Sequence, residues 1–203
     1  RSLVDLQNKQ VWLISIRPIV PTSRFPVFRI LQIKVTHLRI LITGGVKSGK
    51  SRLAEKLALS IAPTELPIYL ATTEFTEDPE LQQRIALHQQ QRAERFFTIE
   101  EGLWLHQKLP KEPRIVLVEC LTMWLNNLLH HGHDEERAFS ELEALWNSPH
   151  QFVLVLNEVG LGIVPTNPLA RRFADLSGRV GQWLGERCDQ VFFCAAGLPL
   201  QLK

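Results

Sequence analysis

The stretch that most constrains this chain runs from Leu38 to Leu57. A short apolar run, Leu38-Arg39-Ile40-Leu41-Ile42-Thr43, leads into Gly44-Gly45-Val46-Lys47-Ser48-Gly49-Lys50-Ser51 and then a helical pattern. A strand, a G-x-x-x-x-G-K-S loop and a helix in that order wrap backbone around a phosphate group. Gly44 and Gly49 permit angles that a Cβ would forbid, so successive amide N–H groups can curl round an anion. Lys50 brings a point charge towards β- and γ-phosphates, and the Ser51 hydroxyl suits Mg²⁺. The helix that begins here points its positive end at the same place. The candidate nucleotide-binding loop is therefore Gly44, Gly45, Val46, Lys47, Ser48, Gly49, Lys50 and Ser51.

The rest of the chain supplies a matching scaffold. Ile68–Thr72, Ile115–Val118, Phe152–Leu156 and Gln190–Ala195 read as buried strands, with Phe96–Ile99 a shorter one. Pro199–Leu202 is positioned to extend the sheet's edge. Leu53, Leu57 and Ile61 stripe a first helix, and the polar stretch 79–95 is helical in spacing. Gly102–Leu109 reads as a short helix, and Leu121–Leu129 and Glu135–Trp146 as two longer ones. Thr166-Asn167-Pro168 caps a last helix striped by Leu169, Phe173, Leu176, Val180 and Trp183. Continuous apolar strands alternating with helices predict an α/β fold of the P-loop NTPase type, a mostly parallel sheet with helices on both faces. Ligands in such sheets lie beyond the carboxyl ends of the strands. Gly44–Ser51, Ala71-Thr72-Thr73, Glu119 and Asn157-Glu158 should thus meet at one edge. Glu119 ends its strand where P-loop proteins put a carboxylate for Mg²⁺ or its waters. Glu158 has the same placement, as a substrate-site residue or as a helix cap.

With 203 residues the chain suits one such domain plus an appendage. A net charge of +2 gives no footing for a nucleic-acid binder. The charge is uneven: residues 1–37 hold six Lys/Arg and one acid, and Pro18, Pro21 and Pro26 interrupt their apolar clusters. Residues 1–37 are expected to be an N-terminal extension outside the catalytic fold, which leaves 38–203 as the catalytic domain. Three cysteines without a C-x-x-C pair fit a reducing cytoplasm, and no apolar run is long enough to span a membrane. His130, His131 and His133 fall in one turn without further ligands, so they read as exposed rather than as a metal site.

Five segments in order carry a more specific likeness: Thr43-Gly44-Gly45-Val46-Lys47-Ser48-Gly49-Lys50-Ser51-Arg52; Tyr69-Leu70-Ala71-Thr72; Arg84-Ile85 with His88 and Arg92; Val118-Glu119-Cys120-Leu121-Thr122; and Asn157-Glu158-Val159-Gly160-Leu161-Gly162-Ile163-Val164-Pro165. Together they resemble the bifunctional adenosylcobinamide kinase/adenosylcobinamide-phosphate guanylyltransferases of cobalamin biosynthesis, over about residues 38–203. The resemblance implies phosphorylation of adenosylcobinamide by a nucleoside triphosphate, ATP or GTP. It further implies transfer of GMP from GTP onto the product through a guanylylated histidine, giving adenosylcobinamide-GDP. By itself His88, set among Gln89, Gln90, Gln91 and Arg92, reads as a surface histidine; the resemblance makes it the covalent nucleophile. Imidazole is among the few side chains able to attack phosphorus at neutral pH.

The same resemblance assigns nucleotide contacts to Gly44–Ser51, Ala71, Thr72, Thr73, Gln89, Gln90, Gln91, Arg92, Glu100 and Glu119, and implies a homotrimer. Phe96 stands where the family often has tryptophan and keeps an aromatic face. Two other readings remain open on the residues: a P-loop kinase without nucleotidyl transfer, and a protein that uses nucleotide to gate a partner.

Overall fold

The computed structural model describes residues 37–62, 65–74 and 94–203. The chain divides between Leu38 and Arg39, and the described residues fall almost wholly in the second part. The helical stretch expected at 79–95 lies mostly outside the described residues.

Seven strands form one sheet: β1 (Arg39–Gly44), β2 (Ile68–Ala71), β3 (Phe97–Glu100), β4 (Ile115–Glu119), β5 (Gln151–Asn157), β6 (Gln190–Ala195) and β7 (Leu198–Gln201). Their order is β3-β2-β4-β5-β1-β6-β7. All neighbours pair in parallel except β6 and β7, an antiparallel hairpin at one edge. The hairpin turn is Ala196-Gly197, both at positive φ (51° and 79°), which matches the twist of its strands.

Four helices are described: α1 (Lys50–Ile61), α2 (Leu121–His130), α3 (Glu135–Trp146) and α4 (Pro168–Arg187), with a 3₁₀ turn at Leu105–Lys108. Alternation along the strands separates them. Leu41, Val116, Val118, Phe152 and Leu154 point to a cluster with Trp124, Leu125, Leu142, Leu176 and Val180 of α2, α3 and α4. Ile40, Ile42, Leu117, Val153 and Val155 are equally buried but outside that cluster, on the face where α1 buries Ala54, Leu57 and Ala58. Both faces are therefore covered, and the strands between them have no polar side, as their unbroken apolar runs require.

Local chemistry explains the element ends. Asn167 Oδ1 accepts from the N–H groups of Leu169 (2.8 Å) and Ala170 (3.3 Å), and Pro168 opens α4 with no N–H to satisfy. Asp134 likewise caps α3 through Arg137 N. The expected stripe on α4 is shifted at its start. Leu169 is 58% exposed, because α4 reaches the sheet only from its second turn, where Phe173 and then Leu176 pack. Phe96 is buried edge-on against Tyr69, so an aromatic ring does fill that position.

Candidate active site

β1 delivers the chain into the phosphate loop at Gly44, whose φ is 140°. A Cβ there would lie 2.2 Å from the Cys194 carbonyl oxygen of β6, so the neighbouring strand demands glycine as much as the backbone angle does. Gly49, at φ 98°, is the N-cap of α1. Lys47 also takes a positive φ of 54°, which the variable positions of the motif do not announce.

The Lys50 ammonium folds over its own loop and donates to the Gly45 carbonyl at 2.6 Å. Burial pushes its pKa below the ordinary lysine value, while the Glu119 carboxylate pulls it back up. A desolvated cation of this kind gains most from an anion placed beside it. Ser51 Oγ donates to Glu119 Oε1 at 2.8 Å, which joins the first turn of α1 to the end of β4. Hydroxyl and carboxylate oxygens are the hard donors that Mg²⁺ prefers, so this pair fits that ion.

The neighbouring strand ends line up beside this pair. Ala71 of β2 is registered with both Glu119 of β4 and Glu100 of β3. Thr72 is fully buried. Its N–H donates to the Glu119 carbonyl (3.2 Å) and its hydroxyl to the Cys120 carbonyl (2.7 Å), so the side chain braces β4 rather than facing outward. Thr73 is half-buried and Glu100 exposed. Glu158 N donates to Gly44 O (2.9 Å), whereas its carboxylate accepts from Gly160 N (2.6 Å) and shapes its own loop. His88, Gln89, Gln90, Gln91 and Arg92 lie outside the described residues.

Three features had no signal in the sequence. Asn127, on an apolar helix, binds the carbonyls of Thr72 and Gly102. The Thr122 hydroxyl accepts from Asn157 N at 2.7 Å and fixes the end of β5. Gly197 of the β6–β7 turn donates to the Ser48 carbonyl at 3.0 Å and so touches the phosphate loop from the far end of the chain. Cys120, Cys188 and Cys194 are free and buried. Burial raises all three thiol pKa values, that of Cys188 to about 12, so they are neutral packing groups rather than nucleophiles. Among the described residues no cluster of metal-ligating side chains forms and no helix is long and apolar enough to cross a membrane.

Comparison with known proteins bears on this geometry. A KaiC-like protein of Pyrococcus horikoshii superposes with a TM-score of 0.44 at 12% identity, covering 78% of this chain and 71% of its own. So slight a likeness says nothing about activity. Sequence similarity is far closer. The bifunctional adenosylcobalamin biosynthesis protein CobP of Pseudomonas aeruginosa is 44% identical over 173 residues, 82% of this chain and 98% of that protein. The corresponding CobU of Escherichia coli is 36% identical over 187 residues, 82% of this chain and all of that protein. A family model described as cobinamide kinase / cobinamide phosphate guanyltransferase matches residues 40–202. That match runs from within β1 through β7, and the chain belongs to the cobinamide kinase / cobinamide phosphate guanyltransferase family.

Proposed function

We propose that this chain performs both reactions of its family on one nucleotide site. The observation that carries this is the junction of Lys50, Ser51 and Glu119 at the carboxyl edge of the sheet, where Ser51 Oγ lies 2.8 Å from Glu119 Oε1. In the kinase step the aminopropanol hydroxyl of adenosylcobinamide attacks the γ-phosphorus of ATP or GTP. A new O–P bond forms, and the bond to the bridging β–γ oxygen breaks. Lys50 and the loop amides absorb the charge that develops on the transferred group and the departing diphosphate. Ser51 and Glu119 would hold Mg²⁺, which supplies charge neutralisation at the phosphates when bound.

In the second reaction His88 attacks the α-phosphorus of GTP as a neutral imidazole. A P–N bond forms and pyrophosphate leaves. The corrinoid phosphate then attacks that phosphorus, the P–N bond breaks, and imidazole departs after taking a proton, leaving adenosylcobinamide-GDP. Arg92, four residues beyond His88 in sequence, carries a guanidinium suited to meeting phosphate charge. Ala71, Thr73, Glu100 and Gln89–Gln91 complete the nucleotide site in this reading. Thr72 contributes its backbone position, and Glu158 orders the adjoining loop. We further propose that the enzyme works as a homotrimer in the cytoplasm and that residues 1–37 take no part in catalysis.

Incubation with Mg²⁺ and GTP radiolabelled at the α-phosphate tests the covalent step. The protein should acquire acid-labile, base-stable label, and His88→Ala should lose it while still phosphorylating adenosylcobinamide. Label retained in His88→Ala removes that residue as nucleophile; no label in the unaltered protein leaves a kinase alone.

A further inference from the structure

The loop that leaves β5 is apolar where a surface loop is ordinarily polar. Asn157 ends the strand in register with Gly44, and Glu158 N donates to Gly44 O at 2.9 Å, so the loop starts directly beside the phosphate loop. Its near end is fixed by the Glu158 carboxylate, which accepts from Gly160 N at 2.6 Å. Its far end is fixed by Arg171 of α4, whose Nη1 donates to the carbonyls of Pro165 (2.8 Å) and Thr166 (2.7 Å). Between these ties the side chains stay out of the core. Leu161, Ile163 and Val164 are 79%, 98% and 74% exposed, Val159 is exposed as well, and none of the four joins the core cluster.

Single exposed apolar residues are ordinary on a protein surface, but a group of them on a loop held at both ends marks a binding surface. The chemistry of the stretch narrows what it takes. Residues 159–165 include no charged side chain, so they do not suit a phosphate or a nucleotide. Gly162 is exposed with open space about its Cα, which sets backbone polar groups among the apolar side chains. A large body with apolar edges and neutral amide arms fits that mixture. The corrin ring of adenosylcobinamide, with its methyl groups and carboxamides, is such a body. Position agrees with chemistry. In both reactions the reacting atom is on the aminopropanol tail, so the ring stays outside the sheet edge while the tail reaches in. Ser51 and Glu119 take the edge at the end of β4, and the β6–β7 turn closes on Ser48 through Gly197. β5 lies between β4 and β1, so its exit opens beside the phosphates and between those two boundaries.

We propose that residues 159–164 seat the corrin body of adenosylcobinamide, and of its phosphate in the second reaction, with Leu161, Ile163 and Val164 as the side chains that contact it. The proposal rests on the corrinoid substrate of the proposed function. It assigns recognition of the acceptor to the loop after β5 and leaves the nucleotide to the phosphate loop and the strand ends beyond it.

The test uses the full-length protein and follows phosphorylation of adenosylcobinamide by ATP, together with the mass of the protein in sedimentation at the assay concentration. Leu161→Ser and Ile163→Ser should each raise KM for adenosylcobinamide about tenfold, the size expected when a large apolar side chain leaves a contact. KM for ATP, kcat at saturating adenosylcobinamide and the labelling of the enzyme by α-labelled GTP should stay unchanged, since none of them depends on holding the corrin ring. The melting temperature should also hold, because both side chains are exposed. Ile163→Leu, which keeps the apolar surface, should keep KM for adenosylcobinamide close to that of the unaltered protein. An unmoved KM for adenosylcobinamide in the serine variants, an equal rise in Ile163→Leu, or a parallel loss of GTP labelling overturns the seat. A fall in mass in the serine variants also overturns it and assigns the loop to contact with a second copy of the chain. If the unaltered protein does not phosphorylate adenosylcobinamide, the proposed function itself fails, a result that the loop variants cannot produce.

Discussion

His150, just before β5, is 1% exposed, and both sides of its ring are engaged. Nδ1 accepts from the Arg114 N–H at 3.1 Å, and the ring donates to the Pro110 carbonyl. Adding a proton would set one N–H against another and place a charge where water cannot reach. Burial accordingly pushes its pKa below the ordinary 6.5, the Arg114 guanidinium pushes it the same way, and the bond to Pro110 opposes them. The folded form then binds fewer protons than the unfolded chain in mildly acid solution. The contribution of His150 is complete above pH 6.5 and is lost as the pH falls through the lower folded value. Unfolding by urea at a series of pH values should show this acid limb, with a slope of at most about 1.4 kcal/mol per pH unit for one proton. His150→Asn, which keeps an acceptor for Arg114 N but does not titrate, should flatten it. Parallel limbs in the two proteins would assign the slope to other groups.

At the scale of elements, the phosphate loop is shaped as much by the end of the chain as by its own glycines. Gly44 sits against the Cys194 carbonyl of β6, and Gly49 lies so close to the hairpin turn that a Cβ would be 3.1 Å from the Gly197 Cα. Gly197 N holds the Ser48 carbonyl from the other side. The two elements can approach so closely only because glycines face each other. Gly44→Ala combines a backbone clash with a positive φ and should lower stability by about 2 kcal/mol or more, with loss of both activities. Gly45, beside it, has open space around its Cα and no positive φ, so Gly45→Ala should keep the melting temperature of the unaltered protein. Equal destabilisation by the two substitutions would show that the hairpin does not constrain the loop.

Across the whole molecule, one edge of a seven-stranded sheet gathers residues from five stretches of chain. The family match covers residues 40–202, and nothing in the proposed chemistry draws on residues 1–37. A protein lacking them should retain both reactions at unchanged rates and the same melting temperature. Loss of either rate with folding intact would give those residues a place in the site.

Much of this organisation was legible in the residues alone. The core strands are largely runs of apolar residues bounded by polar or turn-forming ones, so β1 to β6, the phosphate loop and the cap at Asn167 could be read from neighbours a few residues away. The pair Ser51–Glu119 could be placed at one edge but not measured. Asn127 gave no signal, because an asparagine on an apolar helix looks the same whether it faces water or two buried carbonyls. The exposed start of α4 at Leu169 escaped for a related reason: periodicity shows which side of a helix is apolar, not how much of its length is covered.

The sequence by itself determined the kind of protein this is, since strand, loop and helix patterns are local and a family likeness is carried by residue identity in order. Only the tertiary structure decided which strands lie side by side, that the final hairpin presses on the first loop, and that α2 grips the exit of β2. Those outcomes join residues 55 positions apart, as in Asn127 and Thr72, or 145 apart, as in Arg52 and Gly197. Contacts at such separations depend on how the whole chain excludes water around one core, and no short window of sequence contains that information.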